Sequence, residues 1–239
     1  MGLFDRKYCD ICGEKIPFLG NRKLEDANLC KKCASQLSPW FRERRHTSLE
    51  KIREQLAWRE ENRQRVAEFC TTRSYGNGTR LLIDDDAERF LIASGNNLSE
   101  ANPDVLDFAD LTGCTLSVEE SKQEMMKEGP DGKKVSYDPP HYKFFYNFFI
   151  TVQVRNPYFD SMRFRLNPSR VEGGRSPQYQ QYKQQAEGII EAVEEIIHRK
   201  QEPDKETVPK AAVICAYCGA STIPDDNGRC EYCGAPAQG

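Results

Sequence analysis

The spacing of apolar residues changes twice along this chain, and each change predicts a different kind of secondary structure. Between positions 49 and 69, apolar residues recur near helical intervals among Glu and Arg, which predicts an amphipathic helix. From about Thr79 the period becomes two, as in strands that bury one face. From about Pro177 to Lys200 the helical period returns as one continuous apolar stripe. Such a stripe predicts a helix that covers the sheet before it.

The first helix is expected to connect two folded parts. Thr47-Ser48-Leu49-Glu50 has the form of a capping box, in which Thr47 is the N-cap and Glu50 pairs with the backbone N–H of Thr47. The apolar stripe thins between Arg59 and Arg65. We therefore expect a helix that is solvated along its middle and docked through one face.

The alternating segments predict an antiparallel sheet with one buried face. The turn Asp84-Asp85-Asp86-Ala87 separates the first two strands and makes them a hairpin. The segment from Met125 to Pro140 contains Gly129-Pro130-Asp131-Gly132 and is expected to be a long, mobile connection. The predicted strands lie at residues 81–83, 89–92, 105–108, 114–118, 148–154 and 162–166.

Eight of the ten cysteines fall into four C-x-x-C pairs. Two cysteines at this spacing place both sulfurs on one tight turn, and two such turns complete a tetrahedral thiolate site for Zn²⁺. All four ligands of each site come from the chain, which is typical of structural rather than catalytic zinc. Iron is an alternative in the C-terminal site, since it also accepts four thiolates. The candidate ligands are Cys9, Cys12, Cys30 and Cys33 in the first site, and Cys215, Cys218, Cys230 and Cys233 in the second.

The other interpretation of these cysteines is disulfides or unliganded thiols, and the chain context argues against it. No apolar stretch of signal-peptide length follows Met1, and no run of about 18 apolar residues could span a bilayer. A reducing cytoplasm in which metal holds the thiols is the expected location. Seventeen residues separate the first two pairs, enough for a small hairpin that turns at Phe18-Leu19-Gly20-Asn21.

Composition limits the function classes. Of 239 residues, 38% are apolar and 30% charged, which leaves material for one real core. The net charge of −3 argues against bulk binding of nucleic acid. Within this near-neutral chain, Arg42-Glu43-Arg44-Arg45 is a basic patch, which we interpret as the solvated start of a helix. Together with Lys31 and Lys32, it is also the best candidate for a nucleic-acid binding site.

The remaining candidate residues do not predict catalysis. Cys114 alternates with Leu116 and is expected in the core, and neither Cys70 nor Cys114 has a histidine near it in sequence to activate it. Asp84-Asp85-Asp86 is interpreted as turn chemistry in preference to a Mg²⁺ or Ca²⁺ site. No phosphate-cradling loop or Ser/His/Asp order is present, so no enzyme is expected.

Three segments resemble known families. The segment from Tyr8-Cys9-Asp10-Ile11-Cys12-Gly13 through Cys30-Lys31-Lys32-Cys33 to Phe41 resembles an uncharacterised bacterial four-cysteine domain family of unassigned function. Residues 79–200 resemble a bacterial pleckstrin-homology-like domain, in which a final apolar helix plugs an open barrel. The C-terminal pairs are similar to zinc-ribbon tails. These resemblances imply binding or scaffolding and no catalysis.

The predicted architecture is α+β: a treble-clef-like zinc module (1–46), a connecting helix (47–72), an antiparallel pleckstrin-homology-like barrel with its C-terminal helix (76–200), a linker (201–210) and a zinc ribbon (211–239). We expect a non-catalytic adaptor that binds protein partners through the β domain, where the aromatic run from Tyr142 to Phe149 exceeds what one buried face needs. The alternative function is nucleic-acid binding through the zinc modules and the Arg42–Arg45 patch.

Overall fold

The computed structural model describes residues 7–201, 212–225 and 228–236. They group into two compact units, the first ending at His198 and the second beginning at Arg199. The predicted zinc module, connecting helix and β domain therefore lie in the first unit, and the predicted ribbon lies in the second. Residues 202–210 of the predicted linker, like the first six residues of the chain, lie outside the described residues.

Short elements build the N-terminal part of the first unit. An isolated antiparallel bridge between Tyr8 and Lys15 precedes them. In chain order they are β1 (Arg22–Lys23), β2 (Asn28–Leu29), α1 (Lys31–Ala34), a 3₁₀ turn (Arg44–His46) and the long helix α2 (Leu49–Glu68).

The small hairpin lies later in the chain than predicted. At the predicted position a β-turn forms, in which the Gly20 N–H donates to the Pro17 carbonyl over 2.8 Å. A turn from Leu24 to Ala27 instead joins the paired strands β1 and β2. In this turn the Leu24 N–H donates to the Ala27 carbonyl over 2.9 Å. Leu24 is 1% exposed, so burial of this side chain, rather than the turn signal of Gly20-Asn21, sets the position of the hairpin.

Two four-stranded antiparallel sheets follow α2. The strands are β3 (Arg73–Gly76), β4 (Thr79–Asp84), β5 (Arg89–Ser94), β6 (Leu106–Asp107), β7 (Leu111–Glu124), β8 (Met126–Glu128), β9 (Lys134–Ser136), β10 (Tyr142–Val154), β11 (Ser161–Arg165) and β12 (Val171–Glu172). β3 to β6 form a meander, with the short helix α3 (Leu98–Ala101) before β6. In the second sheet β10 pairs with β7 on one side and with both β11 and β12 on the other.

Part of the segment predicted to be a long mobile connection is regular structure. β8 and β9 pair as a hairpin whose register runs from Met126 opposite Ser136 to Glu128 opposite Lys134. The hairpin continues the direction of β7 and β10, which pair from Leu111–Val154 outward to Glu124–Tyr142. Residues 111–154 therefore form one long two-stranded arm with a short second hairpin at its end.

The helix α4 (Pro177–Gln201) covers the sheets as its apolar stripe predicted. It shares one core cluster with strand residues such as Phe148 and Ile150. Among the helices of the described residues, none is long and apolar enough to cross a membrane. Four side chains of the stripe are at most 1% exposed: Ala186, Ile189, Val193 and Ile196.

The helix α2 differs from the expected solvated connector in two ways. Its N-cap is Ser48, whose hydroxyl accepts the Lys51 N–H, whereas the Thr47 hydroxyl donates to the Glu43 carbonyl. Its middle is docked, because Arg59 and Asn62 are 6% and 1% exposed. The docked face is polar, and a search for apolar periodicity does not detect such a face.

The partners of this polar face come from the segment that leads into β6. The Arg59 guanidinium pairs with the buried Asp104 carboxylate, which also accepts the Ser38 hydroxyl at 2.6 Å. Asn62 donates to the Asn102 side chain at 2.8 Å and to the Pro103 carbonyl at 2.7 Å. Burial raises the pKa of Asp104 against the opposing effect of Arg59, so the carboxylate depends on its partners to stay charged.

This buried network fixes the cysteine-rich part of the first unit to the β region. Arg59 also donates from Nε to the Gln36 carbonyl at 3.2 Å, two residues before Ser38 in the chain. One face of α2 therefore holds residues from both neighbouring parts through directional bonds. Such a network specifies one arrangement because each buried group needs its particular partner.

We predict that Asp104→Ala lowers the free energy of unfolding by about 3 kcal/mol, because it leaves a buried guanidinium without its counter-charge. The measurement is urea unfolding followed by circular dichroism. As a matched control, Glu60→Ala removes the exposed partner of Arg63 and is expected to change stability by less than about 0.5 kcal/mol. A similar small effect for both variants would contradict the structural role of the network.

Candidate metal centres and interaction surface

The first cysteine cluster combines a tight turn with the start of a short helix. In the turn, the Gly13 N–H donates to the Cys9 carbonyl at 2.8 Å, and the Cys9 N–H donates to the Glu14 carbonyl at 2.9 Å. Gly13 has a φ of +72°, a left-handed conformation that glycine adopts without steric cost. Cys30 caps α1, and its sulfur accepts the Cys33 N–H at 3.3 Å. The turn and the helix bring all four sulfurs together.

The second cluster is made of two turns of the same kind. These connect to β13 (Val213–Ile214) and β14 (Ser221–Thr222), which pair with each other. Gly219 donates to the Cys215 carbonyl, and Gly234 donates to the Cys230 carbonyl, each over 2.8 Å. The two glycines have φ of +73° and +69°. The sequence repeat C-x-x-C-G therefore corresponds to one repeated backbone structure.

The sulfur positions fit a tetrahedral metal ion. In each cluster the four sulfurs lie within 4.8 Å of one another. Cys12 and Cys30 are 3.8 Å apart, and the Cys215–Cys233 and Cys218–Cys230 separations are each 3.7 Å. A tetrahedron with Zn–S bonds of about 2.3 Å has edges of about 3.8 Å. A disulfide requires sulfurs about 2.05 Å apart, and all ten cysteines are free.

Neighbouring groups act in opposite directions on the thiols. At Cys9 burial raises the pKa, but backbone N–H groups, first that of Cys12, outweigh it and bring the pKa to about 6. The same balance brings the pKa of Cys230 to about 6. At Cys33 burial, followed by the sulfur of Cys30, raises the pKa. Some thiols thus ionise readily, while four thiolates side by side require a cation between them.

The clusters are the only groups of three or more His, Cys, Asp or Glu side chains in the described residues with ligand atoms close enough to share a metal ion. The acidic turn between β4 and β5 has other bonds. Asp84 accepts the N–H groups of Cys70 and Ala87 at 2.8 and 3.0 Å, and Asp85 forms two bonds of 2.7 and 2.8 Å with Arg73. These bonds match the interpretation of Asp84-Asp85-Asp86 as turn chemistry.

Two cysteines, Cys70 and Cys114, lie outside both clusters. Cys114 is half-buried, and burial with the nearby Glu194 carboxylate raises its pKa to about 12. A thiol with this pKa is protonated at neutral pH and is a poor nucleophile. Cys70 is exposed at the end of α2.

The basic patch is part of the cysteine-rich fold. Arg44 lies in the 3₁₀ turn and donates to the Lys23 carbonyl of β1 at 2.7 Å. Arg42 and Arg45 are exposed. The predicted helix start is absent at this point, since α2 begins at Leu49.

Arginines cover one face of the aromatic run. The Arg163 guanidinium lies 3.8 Å from the ring centroid of Phe149, and that of Arg170 lies 3.8 Å from the ring centroid of Phe145. Contacts of this kind shield an aromatic ring on a solvent-facing surface. The sequence did not identify these partners, although the alternation in β11 placed Arg163 on the solvent side.

The other face of the run is covered only in part. Tyr179 of α4 contacts Tyr146 and Phe148, with both ring-centroid distances 5.0 Å. Because side chains alternate along a strand, Tyr142 and Phe144 continue this same face outward. They are 41% and 42% exposed. The core-facing surface of β10 thus extends beyond the first turn of α4, and we call Tyr142 and Phe144 the arm strip.

Comparison with known proteins gives one family match. Residues 7–55 match the model of a domain of unknown function (DUF4428). The match includes the first cluster, as the resemblance to an uncharacterised four-cysteine family suggested, and continues into α2. The structure explains this extent, because Ile52 of α2 is 0% exposed and completes the apolar cluster around Cys9 and Leu29. The chain matches no curated protein and no solved structure.

We predict that the purified chain contains two metal ions, one for each cluster, when measured by elemental analysis after gel filtration. Cys33→Ser removes one thiolate from the first cluster and is expected to lower the content to about one ion. Cys70→Ser, the matched control, changes a thiol outside both clusters and should leave two. An unchanged ion content in Cys33→Ser would contradict the assignment of the first cluster.

Proposed function

We propose that this protein is a non-catalytic binding protein in which two structural Zn²⁺ ions hold the cysteine-rich parts and the β region contacts a protein partner. Support for zinc comes from the chemistry of the donors: four thiolates at tetrahedral separations suit Zn²⁺, with iron as the alternative in the C-terminal cluster. When bound, the ion supplies a crosslink between distant parts of the chain. Four protein ligands leave no position for water, so we assign the ions no catalytic role.

We also propose that residues 76–200 form a pleckstrin-homology-like domain. Supporting this proposal, β3 to β6 form a meander, β7, β10 and β11 form a second antiparallel group, and α4 follows and packs on both. The β4–β5 hairpin turns through Asp84 and Asp85, and its acidity argues against a phosphoinositide headgroup as the ligand at this turn. A protein partner is therefore the better supported ligand class for this domain.

The observation that carries the partner proposal is the arm strip. Tyr142 and Phe144 lie on the same face as the fully buried Phe148, yet α4 covers that face only as far as Tyr146. Aromatic side chains that continue a core surface into solvent are typical of interface anchors. The other strands of the arm and its end hairpin supply further exposed apolar side chains: Val118, Met126 and Val135.

The opposite face of the arm offers a second feature for the same partner. A cavity of about 410 Å³ lies where the β8–β9 hairpin meets β10, and its lining includes Met125, Phe145, Lys134 and Lys143. The lining also includes the Glu124 carboxylate, and Lys143 pairs with Glu172 at 2.8 Å, so the cavity has mixed charge and suits a segment with polar as well as apolar side chains. The arm thus has binding features on both faces.

We predict that Tyr142→Ser with Phe144→Ser abolishes capture of the partner from extracts of the native host, since losing two aromatic anchors costs about 2 kcal/mol of binding energy or more. Because both side chains are more than 40% exposed, unfolding stability should change by less than about 1 kcal/mol.

The matched control is Tyr217→Ser with Tyr232→Ser, which removes two exposed tyrosines from the C-terminal unit. This variant should retain the partners captured by the native chain. If the arm-strip variant retains them as well, the β region is not the binding surface and the proposed function is wrong.

A further inference from the structure

The most exposed large apolar side chains of the described residues lie together in the DUF4428-matching segment. Phe18 is 82% exposed and Leu19 is 85% exposed, and they follow the exposed Pro17. Two large neighbouring apolar side chains this exposed lack a function within the fold. They occupy a different surface from the arm strip, so the inference is independent of the proposed partner binding.

The backbone holds this apolar pair outward. Phe18 and Leu19 are the two central residues of the β-turn closed by Gly20 and Pro17. A Cβ at Gly20 would approach the Pro17 ring to 3.0 Å, so glycine permits the closed turn. Ile16, directly before it, is 5% exposed and donates its N–H to the Lys7 carbonyl at 2.8 Å. The turn is thus a rigid projection anchored on the module core, and we call Pro17–Gly20 the apolar tip.

Basic side chains flank the apolar tip. Lys15 precedes it and Lys23 follows it, and both are exposed. Arg44 bonds to the Lys23 carbonyl, and besides partial burial the nearby charges of Arg22 and Arg45 lower its pKa. These cations therefore lie close enough to act on one another.

The whole cysteine-rich module is net positive, like the side chains that flank the apolar tip. Residues 7–46 contain nine Lys or Arg and five Asp or Glu, whereas the whole chain carries a net charge of −3. Two of the five carboxylates are bonded to backbone within the fold: Asp10 accepts the Asn28 N–H at 2.7 Å, and Asp26 accepts the Leu49 N–H at 2.9 Å. The segment that carries the apolar tip is thus a basic part of an otherwise slightly acidic chain.

We propose that the apolar tip inserts into the interfacial region of an anionic lipid bilayer, with the surrounding Lys and Arg side chains on the lipid headgroups. An apolar projection on a basic module, with exposed lysines on both sides of it in sequence, is complementary to a bilayer whose headgroups are negative and whose interior is apolar. A nucleic acid is the poorer fit, because bases stack on aromatic faces and the more exposed tip residue is the aliphatic Leu19. The wide exposure of both side chains also favours a deformable surface over a shaped pocket.

The test is flotation of the full-length, metal-loaded chain with vesicles of phosphatidylglycerol and phosphatidylcholine in equal amounts, and with vesicles of phosphatidylcholine alone. We expect binding to the anionic vesicles that weakens as salt is raised, and at least about tenfold weaker binding to the neutral ones. Phe18→Ser with Leu19→Ser should weaken binding to anionic vesicles by at least about tenfold, since the apolar area no longer leaves water.

Two controls keep the experiment decisive. Ile214→Ser with Tyr217→Ser removes a comparable apolar pair, 76% and 77% exposed, from the C-terminal unit and should bind vesicles like the native chain. The metal content of the tip variant reports that its module is folded. The proposal is overturned if the native chain does not float with anionic vesicles, if the folded tip variant floats equally well, or if the tip variant loses binding to a single-stranded oligonucleotide rather than to vesicles.

Discussion

The constraint on which the cysteine-rich parts depend is the close approach of four sulfurs. Eight buried residues, three of them cysteines, make up the apolar cluster of the first module, which is too little to stabilise a fold of this size without help. The sulfurs lie within 4.8 Å of one another, an arrangement that repulsion between thiolates opposes unless a cation neutralises it. A metal ion bound there would turn the contact between thiolates, which repel one another, into the link that closes the loop of the module.

The β region has a different source of order. Its two sheets and α4 share a large apolar core that includes Phe90, Phe148 and Ile189. Because burial of this core supplies the stabilisation that the small cysteine-rich cluster lacks, the β region needs no metal to fold. The two parts are joined through the polar face of α2, where Arg59 pairs with Asp104. This division gives the chain two separate surfaces: an arm with partly exposed aromatic side chains on the β region, and an apolar tip with basic neighbours on the cysteine-rich module.

The sequence predicted those features that local chemistry determines. The spacing of Cys9, Cys12, Cys30 and Cys33 predicted the first cluster because a C-x-x-C pair brings its two sulfurs together both in a tight turn and at a helix start, and the stripe of α4 predicted a buried helix. Features set by distant partners were missed. The pattern around Arg59 indicated a solvated surface because the Asp104 that buries it lies 45 residues away. Likewise, turn residues within 125–140 suggested a mobile loop, whereas pairing of β8 with β9 extends the arm.

Amide hydrogen exchange before and after removal of metal by a chelator separates the metal-dependent parts of the chain from the β core. We expect residues 9–37 and 213–236 to lose protection when metal is removed, while residues 81–92 and 148–154 keep theirs. Restoring Zn²⁺ should restore protection in the first two segments. Unchanged protection of residues 9–37 in metal-free protein would show that the sulfur clusters do not hold the fold.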